Sequence, residues 1–361
     1  MSTPHFHALR VKEVRRETDE CISLTLEVPD SLADKFRFSQ GQYLNVRREF
    51  GGAEVRRSYS ICSGSDDGEL RIAVKEVADG VFSVWANRQL AAGESLEVMP
   101  PEGRFFVPLD AMHKKHYVAF AAGSGITPVL SLARTTLARE PGSRFTLVYG
   151  NRTAGSVIFN EALEDLKDRY LARFALYHVF SRDLQSIELF NGRVDGAKVG
   201  RFLDTLIAPE SIDEAFVCGP GPMGDELKTV LEERGVAPDH IHLERFGAPA
   251  IGDIGRKPRP EPAGSTAQAA NVTVIVDGMR YDLILREDAS SILDAALKAG
   301  ADLPYACKAG VCCTCRAKLL EGEVRMDANY TLEDAEIKAG FRLTCQSHPI
   351  TPKVVLDFDQ R

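Results

Sequence analysis

The sequence predicts a multidomain chain: an antiparallel β-barrel over residues 1–110, an α/β unit with a parallel sheet over 111–247, a linker over 248–270, and a small α+β unit over 271–361. Three observations carry that prediction. Short β-type runs broken by Gly, Asp and Ser fill the first hundred residues, and apolar strands then alternate with helical stretches. Last, a segment dominated by Pro, Gly and Ala precedes a hairpin, a helix and a dense group of cysteines.

In the first unit, 22–28, 43–46 and 70–77 read as strands, with Gly51-Gly52 and Asp66-Asp67-Gly68 as hairpin punctuation. Ser83 stands where a helix over 83–90 needs a capping hydroxyl. In the second unit, strands at 117–122, 145–149, 174–180 and 214–218 alternate with helices near 128–139, 156–170, 196–206 and 221–234. Such alternation builds a parallel sheet covered on both faces, with ligands beyond the carboxyl ends of its strands. In the third, runs at 272–276 and 281–285 flank Asp277-Gly278, a strong two-residue hairpin signal, and a helix over 291–299 follows.

Composition narrows the class. With 361 residues, 44% hydrophobic and 27% charged, the chain has room for several ordinary globular cores. No apolar run reaches the roughly 18–20 residues that span a bilayer, so no membrane partner is expected. The N-terminus lacks the apolar stretch of a secretory signal, and thiols without an export signal fit the cytoplasm. A net charge of −8 with no Lys/Arg block argues against nucleic-acid binding.

Cys307, Cys312, Cys315 and Cys345 read C-x4-C-x2-C…C, the spacing by which four thiolates hold a plant-type [2Fe–2S] cluster. Ala306, Ala309 and Gly310 are small enough for a loop that bends around an inorganic core. A structural zinc site would show two paired C-x2-C knuckles, and only Cys312 and Cys315 form one. Cys313 fits no ligand position.

The remaining signals are weaker, and each keeps a plain alternative. Arg57, Tyr59 and Ser60 end the fourth strand and offer one ligand a cation, an aromatic plate and a hydroxyl, or form ordinary strand surface. Gly80-x-x-Ser83 opens a helix whose free N–H groups suit a pyrophosphate, or is simply a capped helix. Gly123-Ser-Gly125-Ile-Thr127-Pro128 follows a strand and starts a helix, the context of a phosphate loop, with a tight turn as the alternative. Cys218-Gly219-Pro220 ends the last parallel strand, where a lone Cys is more often a small buried hydrophobe. Ser181-Arg182 ends the third parallel strand as a polar loop or a ligand contact. The second ends in Tyr149-Gly-Asn-Arg152, with no acid placed to take a ribose 2′-OH.

Taken in order, Arg57-x-Tyr59-Ser60, Gly80-x-x-Ser83, Gly123-x-Gly125-Ile-Thr127-Pro128, Cys218-Gly219-Pro220 and Glu244-Arg245-Phe246 resemble the ferredoxin–NADP⁺ reductase superfamily. With the cysteine module at the C-terminus, the chain resembles the reductases of multicomponent oxygenases. The resemblance implies an FAD-binding barrel, an NAD(P)-binding α/β domain and a β-grasp ferredoxin domain. It implies that Arg57, Tyr59, Ser60, Val74 and Lys75 contact the flavin and that Ser83 contacts its pyrophosphate. Gly123, Gly125, Thr127 and Pro128 would hold the nicotinamide nucleotide, with Cys218, Gly219 and Pro220 beside it, and Glu244 and Phe246 would close the flavin site. Tyr59, Ser60, Thr127, Cys218 and Glu244 would position the rings for hydride transfer. Ser181-Arg182 is similar to a pair that receives a 2′-phosphate, which implies NADPH rather than NADH. The implied partner is a separate di-iron oxygenase component of a multicomponent complex. Another oxygenase, hydroxylase or demethylase, or a non-enzymatic redox sensor role, is the alternative.

Overall fold

The computed structural model describes residues 5–246, 269–287 and 289–360. The chain divides into two compact units, His7–Gly247 and Ala248–Arg361, the latter together with Met1–Phe6.

The first unit opens with β1 (His7–Thr18), β2 (Cys21–Glu27), β3 (Tyr43–Phe50), β4 (Ala53–Ser60), β5 (Leu70–Lys75), α1 (Val81–Arg88) and β6 (Ser95–Val98). The strands form an antiparallel sheet in the order β4-β3-β6-β1-β2-β5, and a bridge between Ile61 and Ile72 joins its two edges into a barrel. Apolar residues two apart point to one face of a strand. Leu9 and Val11, Leu44 and Val46, and Ile72 and Val74 thereby meet in one core, which Phe82, Trp85 and Ala86 of α1 cap. Ser83 does not cap α1, contrary to the sequence expectation. Gly80 takes that place, and the Ser83 hydroxyl accepts from Val77 N–H (3.2 Å) and donates to Gly80 C=O (3.4 Å), closing the β5–α1 loop on itself.

The chain continues through β7 (His116–Ala122), α2 (Ile126–Arg139), β8 (Arg144–Asn151), α3 (Asn160–Arg169), β9 (Phe174–Phe180), α4 (Gly196–Thr205), β10 (Glu214–Pro220), α5 (Gly221–Glu233) and β11 (Ile241–Phe246). All five strands are parallel, in the order β11-β10-β7-β8-β9. Alternation along β7 accounts for both covered faces. Tyr117, Ala119 and Ala121 pack in the core shared with α2 and α3, while Val118 and Phe120 pack in the core shared with α4 and α5. The sequence announces four strands. The fifth, β11, is an edge strand of half-buried residues whose mixture of His, Glu and Arg hides its period. Helix α3 starts later than expected, because Phe159 adopts φ 64° just before it. The chain moves from β7 through β8 to β9 on one side, then crosses to β10 and β11 on the other. A crevice opens at such a switch point, here between the ends of β7 and β10.

The second unit holds β12 (Ala269–Val276), β13 (Met279–Arg286), α6 (Ile292–Lys298), β14 (Arg316–Glu321), β15 (Val324–Met326), α7 (Asp334–Lys338), β16 (Phe341–Leu343), β17 (Ser347–Pro349) and β18 (Lys353–Asp357). Its main sheet runs β13-β12-β18-β14-β16, with β12 and β18 parallel. Ile292, Leu293 and Ala296 of α6 pack with Val272, Val274, Leu356 and Phe358. The hairpin falls where Asp277-Gly278 predicts it, at φ 48° and 73°, and Ser291 caps α6 by accepting from Asp294 N–H. The linker expected over 248–270 lies outside the described residues except for Ala269 and Ala270, which already belong to β12.

Candidate functional site

Ser60 ends β4 and Glu244 lies on β11, and the Ser60 hydroxyl donates to Glu244 Oε1 at 2.8 Å. The Glu244 carboxyl sits deep in the crevice although the residue as a whole is only half-buried, and burial pushes its pKa up to about 7 against the lowering effect of Ser60. Cys218 lies opposite Glu244 in the β10–β11 register, and its thiol is held well above the usual range, first by burial and then by Glu244. It is a neutral thiol and no nucleophile. Phe246 pairs with Pro220 one turn of the pleat further out.

Arg57 and Tyr59, two apart on β4, share a face. The Tyr59 ring lies 5.6 Å from Phe82 at a tilt of 36°, and the Arg57 guanidinium is bound to Arg56 C=O at 2.7 Å. Burial raises the Tyr59 phenol, so it is neutral, with Arg57 opposing the shift. Lys75 reaches across from β5: its ammonium is 3.8 Å from Glu20 and 4.0 Å from where a Cβ on Gly123 would lie. Val74 stands apart, with its side chain in the barrel core and its carbonyl accepting from Asn87. Beside the start of α1 lies an open groove of about 590 Å³, walled by Phe50, Asp79, Gly80, Val81 and Trp85, with the Arg48 guanidinium 3.9 Å from the Trp85 ring.

The Gly-rich loop is a 3₁₀ turn, Gly123–Gly125, with Gly123 at φ 55°. A Cβ on Gly125 would lie 2.1 Å from Cys218 C=O, so only glycine lets this loop touch the end of β10. Thr127 donates to Ser124 C=O at 3.0 Å, and Pro128 sits in the first turn of α2, where its missing N–H costs nothing. The crevice therefore joins Ser60, Gly123, Gly125, Thr127, Cys218, Gly219 and Glu244. Ser181 and Arg182 lie farther out, their N–H groups donating to Asn151 C=O (3.0 Å) and Arg152 C=O (2.8 Å). That pairing brings in a residue that sequence reasoning passed over. Arg152 and Arg182 are both exposed, and among the described residues neither guanidinium has a hydrogen-bond or ion-pair partner. Asp183, next in the chain, is engaged as an acceptor for Ala154 N–H at 2.7 Å.

The cysteine loop is built locally. Lys308, Gly310 and Cys313 take positive φ (51°, 76° and 57°), and a Cβ on Gly310 would lie 3.0 Å from Ala328 C=O. Ala309 N–H donates to Cys307 Sγ at 3.3 Å. Thr344 donates to Cys315 C=O through both its N–H (3.2 Å) and its hydroxyl (2.9 Å), and Gln346 Nε2 donates to Lys308 C=O (2.9 Å), which brings Cys345 to the loop. Cys315 is held well above the usual thiol range, first by Cys345 and then by burial. The hydrogen bond from Cys312 lowers Cys307 to about 7. Among the described residues no three His, Cys, Asp or Glu side chains converge on one point. The C-x4-C-x2-C…C spacing of the four thiols is that of a two-iron cluster and not of paired zinc knuckles. Cys313 is turned aside, 3.2 Å from the Thr331 hydroxyl.

Comparison with known proteins agrees with this geometry. Residues 8–107 match the oxidoreductase FAD-binding domain, 120–228 the oxidoreductase NAD-binding domain, and 274–349 the 2Fe-2S iron-sulfur cluster binding domain. The sequence resemblance includes the reductase component of ring-1,2-phenylacetyl-CoA epoxidase. In line with it, the chain is 46% identical to a 1,2-phenylacetyl-CoA epoxidase subunit from Escherichia coli (strain K12), over 99% of this chain and 98% of that one. It is 35% identical to the ferredoxin reductase component of 3-ketosteroid-9-alpha-monooxygenase from Rhodococcus rhodochrous, over 97% and 96%. Among solved structures, phthalate dioxygenase reductase shares the fold with a TM-score of 0.59 and 24% identity over 98% of each chain. Among the described residues no helix is long and apolar enough to cross a membrane. The chain belongs to the ferredoxin–NADP⁺-reductase-type oxygenase reductases, which carry electrons from a pyridine nucleotide through FAD and a [2Fe–2S] cluster to an oxygenase component.

Proposed function

We propose that this chain takes electrons from NADPH in the cytoplasm and delivers them to the di-iron oxygenase that epoxidises the ring of phenylacetyl-CoA. The observation that carries this reading is the end-to-end likeness to the Escherichia coli 1,2-phenylacetyl-CoA epoxidase protein. When bound, the nucleotide supplies a hydride, FAD takes the electron pair, and the cluster passes electrons on singly.

The protein's part is positioning. Tyr59 and Arg57 present a plate and a cation to the flavin, and the 590 Å³ groove beside α1 has room and aromatic walls for its adenosine half. Gly123, Gly125, Thr127 and Pro128 would hold the nucleotide, and Cys218, Gly219 and Pro220 would lie beside its nicotinamide. Ser60 and Glu244, whose carboxyl keeps its proton well above the usual carboxylate range, offer hydrogen bonds to the meeting rings. Phe246, half-buried and in register with Pro220, would close the flavin site. Arg152 joins Arg182 and Ser181 as two guanidinium groups without a partner among the described residues and a hydroxyl, suited to a 2′-phosphate, which supports NADPH over NADH. Cys307, Cys312, Cys315 and Cys345 are the cluster ligands.

Reconstitution with the oxygenase components of a phenylacetyl-CoA epoxidase tests the reading. NADPH oxidation should become coupled to epoxide formation on the CoA thioester. Fast cluster reduction with no electrons accepted by that oxygenase would refute the substrate assignment and leave the reductase assignment standing.

A further inference from the structure

Tyr149 lies near the carboxyl end of β8, in register with Ala121 of β7, and is completely buried. Its packing alone needs only a ring. Yet its hydroxyl donates to Gly123 C=O at 2.9 Å, directly beneath the Gly-rich loop. The same Gly123 carbonyl accepts from Ile126 N–H, so the peptide plane between Gly123 and Ser124 is held from below at two points. In a trans peptide the N–H points opposite to the C=O. Holding Gly123 C=O on Tyr149 therefore turns Ser124 N–H to the side away from Tyr149. In the first turn of a helix that N–H has no intrahelical acceptor.

We propose that Tyr149 is a positioning residue for the nucleotide loop, whose hydroxyl fixes the Gly123–Ser124 peptide so that Ser124 N–H donates to a phosphate of the bound pyridine nucleotide. The inference rests on the reading of Gly123–Pro128 as the nucleotide loop. Gly123 sits at φ 55°, where a glycine peptide is free to rotate, so the loop needs such an external tie to keep one orientation.

Tyr149→Phe in the full-length, FAD- and cluster-loaded protein keeps the ring and removes only the tie, since Ile126 N–H still satisfies the carbonyl. With ferricyanide as acceptor, KM for the preferred nucleotide should rise about fivefold, the effect of one hydrogen bond, while kcat changes less than about twofold. The inhibition constant of ADP-ribose, which carries the pyrophosphate without the nicotinamide, should rise by the same factor. FAD content should not change. Tyr117→Phe is the control, because that buried phenol donates to Glu140 at 2.8 Å, away from the loop. It should lower the melting temperature and leave KM unmoved. An unchanged KM in Tyr149→Phe, an equal KM shift in both variants, or a fall of kcat and FAD content together with KM would each overturn the proposal. If the wild-type protein is reduced normally in that experiment, the nucleotide-loop reading survives the failure. If neither NADPH nor NADH reduces the wild type, both fall.

Discussion

The cysteine loop and the Gly123 crevice, to each of which the proposed function gives a redox group, are held in place by opposite means. The loop carries three of its four thiols in one nine-residue run, Cys307–Cys315, and keeps its shape with residues at positive φ and short-range N–H contacts. The crevice draws residues from β4, the turn between β7 and α2, α2 itself, β10 and β11, and its central hydrogen bond joins Ser60 to Glu244 across 184 positions. Damage should therefore stay local in the first region. In the second it should appear as a change in affinity or in proton balance and not as loss of the site.

The sharpest way to break that comparison is at the cluster. Cys345→Ala should abolish the [2Fe–2S] electron paramagnetic resonance signal and electron delivery to an oxygenase, while FAD content and ferricyanide reduction survive. Cys313→Ser, whose thiol faces Thr331, should do neither. Loss of the cluster in Cys313→Ser with retention in Cys345→Ala would reverse the ligand assignment.

Next in size is the nucleotide preference. Arg182→Ala should raise KM for NADPH by about 10- to 100-fold, the range of a charge-assisted hydrogen bond, with little effect on NADH. Arg152→Ala should act in the same direction. Equal shifts for both nucleotides in steady-state assays would show the two arginines to be bystanders.

The smallest effect belongs to Glu244. Its folded-state pKa is raised from 4.5 to about 7, so the folded protein holds a proton that the unfolded chain releases. Its contribution to stability accordingly declines as pH rises from about 4.5 to about 7 and is level above that. Glu244→Gln removes the slope, so the melting temperature of the variant minus that of the wild type should climb between pH 5 and pH 8. A difference that is flat with pH would mean that the carboxyl ionises in the folded state as it does in water.

How much of this was legible in the sequence follows from the same contrast. The cysteine spacing, the Asp277-Gly278 turn and the strand–Gly–helix context of Gly123 are local, so sequence order alone exposes them. β11 is an edge strand half open to solvent, and its polar residues mask the period of two. Ser83 has the composition of a cap, but tertiary closure of the β5–α1 loop took its hydroxyl for another purpose. Val74 belongs to the flavin motif by resemblance, and its strand alternation turns it inward. Arg152 and Tyr149 lie beside the nucleotide signals in the chain, yet their relevance depends on which neighbouring strand end they meet.

The central claim is that electrons pass from nucleotide to flavin to cluster within one chain. Anaerobic rapid mixing of the full-length protein with NADPH tests it most directly, with flavin absorbance and the cluster resonance followed together. The account predicts roughly one FAD and two irons per chain, flavin bleaching first, and the reduced-cluster signal rising afterward at a rate no slower than steady-state cytochrome c reduction. A cluster that stays oxidised, or that reduces more slowly than turnover, would contradict it.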